Sequence, residues 1–196
     1  MPIEIEKKYR LTKRQRESIV SRLRKLGASA SELEFEENTL YRGGRLDVGG
    51  CALRLRRVNG RALLTFKQRF PSKSPIKHQR EEETEVADAD ALAAILRSLE
   101  FRPALVYEKR RMRWNIGKAE VAVDELPFGL FMEIEGSEKD IAQVEKMLEA
   151  ETLPAVMETY PMLTARLGKK RGAVIEARFP RSVRDRARRS VQNRLR

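Results

Sequence analysis

Apolar and charged side chains alternate residue by residue along much of this chain. In a strand, successive side chains point to opposite faces. In Ile3 to Lys8 that rule puts Glu4, Glu6 and Lys8 on one face and Ile3, Ile5 and Lys7 on the other. Leu53 and Leu55 oppose Arg54 and Arg56, and Leu64 and Phe66 oppose Thr65, Lys67 and Arg69. Glu83 and Glu85 share a face, as do Lys109, Arg111 and Arg113. Val121 and Val123 oppose Asp124, while Met132 and Ile134 oppose Glu133 and Glu135. The pattern predicts strands over 2–10, within 31–42, after Gly49-Gly50, and over 62–69, 80–86 and 105–116. Two more are expected, around Val121 and over 130–136. Asn59-Gly60 is a hairpin turn signal, and turns are expected at 115–118 and 126–129.

Three stretches change period to helical spacing. Thr12 caps the first, with Gln15 placed for a capping box; Ile19, Val20, Leu23 and Leu26 follow, and Gly27 ends it. Asp88 opens the second, which carries Leu92, Ile95, Leu96 and Leu99. Ser137 caps the third, with Ile141, Val144 and Leu148 behind it. Each half of the chain then reads as strand, helix, strand, hairpin, which suggests a duplicated unit. Charged strand faces are compatible with an open sheet showing them to water. Eight strands can also close into a barrel with helices packed outside, an α+β fold. Charges would then line the interior, where they are costly unless paired or bound to ions.

Charge is unevenly distributed. Residues 169–196 hold eleven Lys or Arg against Glu176 and Asp185, so +9 of the net +12 lies there. We expect residues 1–168 to form the domain and 169–196 to form a basic tail. Ser182 to Arg196 has the spacing of a narrow helical stripe. Truncation at Gly168 should then leave turnover of a small substrate nearly intact. Such a tail could contact nucleic acid or an acidic partner. A single cysteine, Cys51, excludes an internal disulfide and fits a reducing compartment. No apolar run is long enough to span a membrane, and residue 4 is already acidic, so a cytoplasmic location without membrane association is expected. The net charge admits a nucleic-acid or polyphosphate binding module. However, residues 1–168 carry no stacking motif or helix-turn-helix signature, and rows of carboxylates would repel a nucleic-acid backbone.

Six motifs stand in order with their strand parity intact. They are Glu4-x-Glu6-x-Lys8; Ala52 to Arg56 after a Gly pair; Leu64-Thr65-Phe66-Lys67; Glu83-x-Glu85-Val86; Glu108 to Arg111; and Val123 to Gly129 followed by Phe131 to Gly136. In these the chain resembles the CYTH superfamily, the triphosphate tunnel metalloenzymes, and within it the branch of class IV adenylyl cyclases and thiamine triphosphatases. The resemblance runs from Glu4 to about Gly136. It implies an eight-stranded antiparallel tunnel, open at both ends. It implies hydrolysis of tripolyphosphate, thiamine triphosphate or a nucleoside triphosphate, with cyclisation of ATP as the alternative. It also implies metal binding by Asp124, Glu133 and Glu135 with Glu4 and Glu6, and water orientation by Glu4 or Glu6.

The residue types suit that chemistry. Phosphoryl transfer is catalysed mainly by positioning and electrostatic stabilisation. Lys8, Arg54, Arg56, Lys67, Lys109 and Arg111 would cradle the phosphates, arginine with a fork and lysine as a point charge. Carboxylates offer hard oxygen ligands that suit Mg²⁺ or Mn²⁺. Zinc is disfavoured, since Cys51 and His78 stand alone on different segments. Glu83 and Glu85 also fit the family's pattern, where they would order the cations or hold a second ion, and Arg113 and Arg69 have the right parity near strand ends. His78 is expected in a solvated loop, Cys51 in packing, and Trp114 on the apolar outer face.

Overall fold

The computed structural model describes residues 3–70 and 76–185; side chains of Ile3, Glu4 and Lys77 lie outside the description. Strand β1 (Ile3–Leu11) leads into helix α1 (Lys13–Lys25) through the capping box of Thr12 and Gln15. A two-residue strand, β2 (Ser29–Ala30), precedes β3 (Glu34–Arg42), β4 (Cys51–Val58) and β5 (Arg61–Arg69). The β4–β5 turn is Asn59-Gly60, with φ of 48° and 82°, the left-handed pair a two-residue hairpin needs. Strand β6 (Lys77–Val86) runs to Asp88, whose side chain accepts from the backbone of residues 90 and 91 and starts α2 (Ala89–Ser98). Strands β7 (Arg102–Ile116), β8 (Ala119–Leu126) and β9 (Gly129–Glu135) form a meander, followed by α3 (Glu138–Leu148) behind the Ser137 cap.

Eight of these strands close a ring in the order β7-β3-β4-β5-β6-β1-β9-β8, with β8 returning to β7. All eight pairings are antiparallel. The closed barrel, not the open sheet, is the fold. Exchanging β1 with β6, β3 with β7, β4 with β8 and β5 with β9 leaves the ring order unchanged, the topology expected of a duplicated unit. Taking Lys109 as the counterpart of Glu36, the registers equate Arg56 with Asp124 and Lys67 with Glu135. The halves thus share a plan but carry opposite charge at matching places. In the ring, basic β4 and β5 stand across from acidic β9 and β8.

Apolar faces point outward. One core, containing Tyr9, Leu23, Trp114, Val121, Met132, Ile134 and Ile141, fills the space between the wall and helices α1 and α3. A second, around Leu55, Tyr41 and Leu96, lies beneath α2. Trp114 takes its expected outer core position. His78 does not lie in a loop: it sits on β6, opposite Ile5, with Nε2 3.1 Å from Glu138. The prolines and serines before it mask the strand's start. Among the described residues no helix is long and apolar enough to cross a membrane.

The chain does not leave the fold at Gly168. Helix α4 (Tyr160–Leu167) packs on the barrel, and strands β10 (Lys169–Arg171) and β11 (Val174–Ala177) form a hairpin. Strand β11 pairs in parallel with residues 105–107 of β7. That stretch needs a partner because β8 covers only residues 110–116. The hairpin thus occupies a backbone edge that the ring leaves open. Glu108, 1 % exposed, clasps the residues just after β11: it accepts from the Phe179 backbone at 2.7 Å and from Arg178 at 3.1 Å. Arg178 also pairs with Glu37 and Glu176. Part of the basic surplus is therefore used internally. Residues 186–196, most of the expected basic helix, lie outside the described residues.

Candidate active site

The interior of the ring is a cavity of about 840 Å³. Of the residues expected in the site, Glu6, Lys8, Arg54, Arg56, Lys67, Glu83, Lys109, Arg111, Arg113, Glu133 and Glu135 line it, as does Arg69. Asp124 does not: it has no exposed surface and is covered from the cavity by Arg111 and Tyr160. Glu85 is exposed near the end of β6 and does not line the cavity. Glu4 is on β1, its backbone opposite Gln79, and its side chain is outside the description.

Cations dominate one side. Arg54 donates to Thr65 at 3.2 Å, and Thr65 donates to Glu83 at 2.7 Å. Lys67 stands 2.6 Å from Glu81. The buried Nε atoms of Arg54 and Arg56 have no hydrogen-bond partner. Burying a donor unsatisfied is costly, so these two N–H groups suit an acceptor within the cavity. Arg56 is 8 % exposed, and its nearest anion is Glu36, at 3.6 Å.

Glu36 is a site residue that the strand parity did not single out. It is fully buried on β3, 3.3 Å from Lys109, and Arg113 approaches its other oxygen at 3.9 Å. Burial pushes its carboxyl upward, but Lys109, Arg56, Arg111 and Arg54 together hold it well below the usual carboxylate range. Lys109 is itself pushed down to about 8 by burial and by Arg111, against the pull of Asp124 and Glu36. Glu34 and Glu36 alternate with Phe35, the same signal as elsewhere; Glu37 beside them obscures it. Glu81 and Glu120 also line the cavity.

The acidic side is held by an arginine fork. Arg111 donates to Asp124 Oδ1 at 2.7 Å and Oδ2 at 2.6 Å, and also to Glu133. Lys8 lies 3.1 Å from Glu133. Tyr160, from α4, donates to Asp124 Oδ2 at 2.7 Å, and the Lys8 ammonium stands 3.8 Å from its ring centre. Burial, then Asp124 and Glu133, hold the Tyr160 phenol well above its ordinary value, so it stays a donor. Nothing in the strand alternation points to this residue.

The two mouths differ. Leu40, Ala52, Ala104, Leu105 and Met162 give one an apolar segment, where β3 ends and β4 and β7 begin, beside Lys67 and Arg69. Arg113, Glu120 and Glu135 mark the charged end.

The family model for the CYTH domain matches residues 2–158. The chain belongs to the CYTH family. "Putative adenylate cyclase MJ0240" of Methanocaldococcus jannaschii is 30 % identical over 151 residues, covering 75 % of this chain and 84 % of that one. Among solved structures, protein PH1819 of Pyrococcus horikoshii superposes with a TM-score of 0.68 at 25 % identity, over 83 % of this chain and 98 % of its own. The Hippeastrum protein HpAC1, in which triphosphatase activity is dominant, superposes with a TM-score of 0.64 at 19 % identity, over 88 % and 99 %. That likeness carries the fold alone. Tyr160 and the β10–β11 hairpin of this CYTH chain lie beyond the family match.

A divalent metal fits the donor chemistry of this CYTH barrel. Glu6, Glu135 and Glu120 are cross-strand neighbours on β1, β9 and β8. Carboxylates are hard oxygen donors of the kind such a cation takes, although Glu120 is also paired with Arg113 at 3.2 Å. No group of three or more His, Cys, Asp or Glu converges on one point among the described residues. Asp124 and Glu133, which would join the set, are engaged by Arg111.

Proposed function

We propose that the chain is a Mg²⁺- or Mn²⁺-dependent triphosphatase acting on a linear triphosphate inside the barrel. The observation that supports it most is the facing of unsatisfied guanidinium N–H groups on β4 by carboxylates on β9 within one cavity. A polyanion bound together with a divalent cation is the ligand that relieves both at once.

Arg54, Arg56, Lys67 and Lys109 would bind the phosphate oxygens, with Lys8 and Arg111 reaching from the acidic side. Glu36 holds Lys109 and Arg56 in place before substrate arrives, so little reorganisation remains at the moment of reaction. Glu6, Glu133 and Glu135, with Asp124, would hold the metal, which when bound neutralises phosphate charge and polarises the terminal phosphorus. Glu6 would orient a water through its carboxylate and accept its proton. The barrel wall keeps bulk water from the remaining phosphates.

A second reading is ATP cyclisation, for which the apolar mouth offers a seat for a nucleoside. Hydrolysis is preferred because water needs no second binding site. One experiment separates them: incubate the protein with tripolyphosphate, thiamine triphosphate or ATP, each with Mg²⁺ and with Mn²⁺. Phosphate released without cyclic AMP is the expected result. Cyclic AMP as the dominant product from ATP, with little phosphate from the other two, would overturn the proposal. Metal-independent binding with no turnover would favour a polyphosphate-binding module.

A further inference from the structure

Asp124 is buried and already committed. Arg111 spans both its oxygens, Tyr160 donates to Oδ2, and Lys109 stands 3.7 Å from the same atom. Arg111 also donates to Glu133, which Lys8 contacts at 3.1 Å. One guanidinium therefore bridges the two carboxylates that a hard cation would need. Guanidinium and metal compete for the same lone pairs, and charge-assisted forks are among the strongest side-chain hydrogen bonds. A polyanion alters that competition, because it offers Arg111 and Lys8 phosphate oxygens in exchange. The phenol acts differently: it comes from α4, is 5 % exposed, and keeps Asp124 turned toward the fork.

We propose that Arg111 and Tyr160 lock Asp124 and Glu133 in the free protein. Polyphosphate draws Arg111 off them, so the divalent cation enters with the polyanion and not ahead of it. The proposal rests on the triphosphatase reading of this cavity. Linkage requires the effect to be mutual: whatever factor the polyanion adds to cation affinity, the cation adds to polyanion affinity.

The test is Mn²⁺ binding to polyphosphate-free protein, read as free Mn²⁺ by electron paramagnetic resonance. Arg111→Ala should bind Mn²⁺ at least about tenfold more tightly than the parent, and Tyr160→Phe about threefold more tightly. Arg111→Lys keeps the charge but loses the fork. It should also gain affinity, and it serves if the alanine variant does not fold by circular dichroism. Arg56→Ala removes an equal charge from the same cavity but pairs with Glu36, outside the lock, and should gain less than about threefold. Equal affinity in the parent and both Arg111 variants, or an equal gain in Arg56→Ala, overturns the lock. Calorimetry with inorganic tripolyphosphate and no metal tests the underlying reading separately. A parent that does not bind it refutes the triphosphate site and the opening of the lock by polyphosphate, while the Mn²⁺ comparison still judges the lock on the carboxylates.

Discussion

Replacing Glu36 by Gln should destabilise the free barrel while tightening its hold on a polyanion. The carboxylate has no exposed surface and three cationic neighbours, Lys109 at 3.3 Å, Arg56 at 3.6 Å and Arg113 at 3.9 Å. Removing one partner of a buried ion pair leaves uncompensated charge and costs about 3–5 kcal/mol. The amide keeps the shape and the contact with Asn38, so the lower end applies. A chain of this length loses roughly 2–4 °C of melting temperature per kcal/mol, giving a fall of about 6–12 °C. Inorganic tripolyphosphate without metal should then raise the melting temperature more in Glu36→Gln than in the parent at one fixed concentration. It supplies the missing anion, and a tenfold gain in affinity adds about 1.4 kcal/mol. Turnover with metal should nonetheless drop at least about tenfold, since the cations lose their fixed positions. Scanning calorimetry and steady-state kinetics make the measurement. A melting temperature within about 2 °C of the parent, or an equal rise with tripolyphosphate in both proteins, would refute the placement of Glu36 as the cradle's counter-ion.

Lys67→Ala should cut turnover at least about tenfold with the fold intact by circular dichroism; unchanged kinetics would remove it from the phosphate cradle. Glu135→Gln should raise the Mg²⁺ concentration needed for half-maximal rate, and an unaltered metal titration would dismiss it as a ligand. Gly168→Ala should cost about 1–3 kcal/mol, because a Cβ there would lie 2.6 Å from the Thr164 carbonyl oxygen and 2.8 Å from Ile175, displacing β11. Truncation after Gly168 should then cost more still, as it bares the β7 edge and strips Glu108 of its partners; a truncated protein that melts and turns over like the parent would show that the hairpin is dispensable. Lys109 falls from its ordinary 10.5 to about 8 in the folded chain. Between those values the unfolded chain keeps a proton that the folded one has released, so this group adds stability as pH rises through that window. Affinity for metal-free tripolyphosphate should fall over the same window as the ammonium is lost, and a flat calorimetric profile from about pH 7 to 9.5 would contradict it.

The sequence by itself determined the strands, their parity and the helix caps. These arise from local geometry: a two-residue alternation, a capping hydroxyl and an Asn-Gly turn act within a few residues. It also determined most of the cavity lining, because a charged face keeps its side whatever the strand pairs with. Only the tertiary structure decided that this face is the inside, since closure depends on β8 returning to β7 across the whole chain. The same closure separates Glu133, which reaches the cavity, from Asp124, two strand positions from the apolar turn and covered by Arg111 and Tyr160. Tyr160 lies on a helix outside the alternation, and nothing within several residues of it indicates Asp124. The strand Val174–Ala177 is short and flanked by basic residues, so locally it reads as tail. Its partners are residues 105–107 and the buried Glu108, distant in sequence, and their need for a backbone and a cation arises only once the barrel has formed.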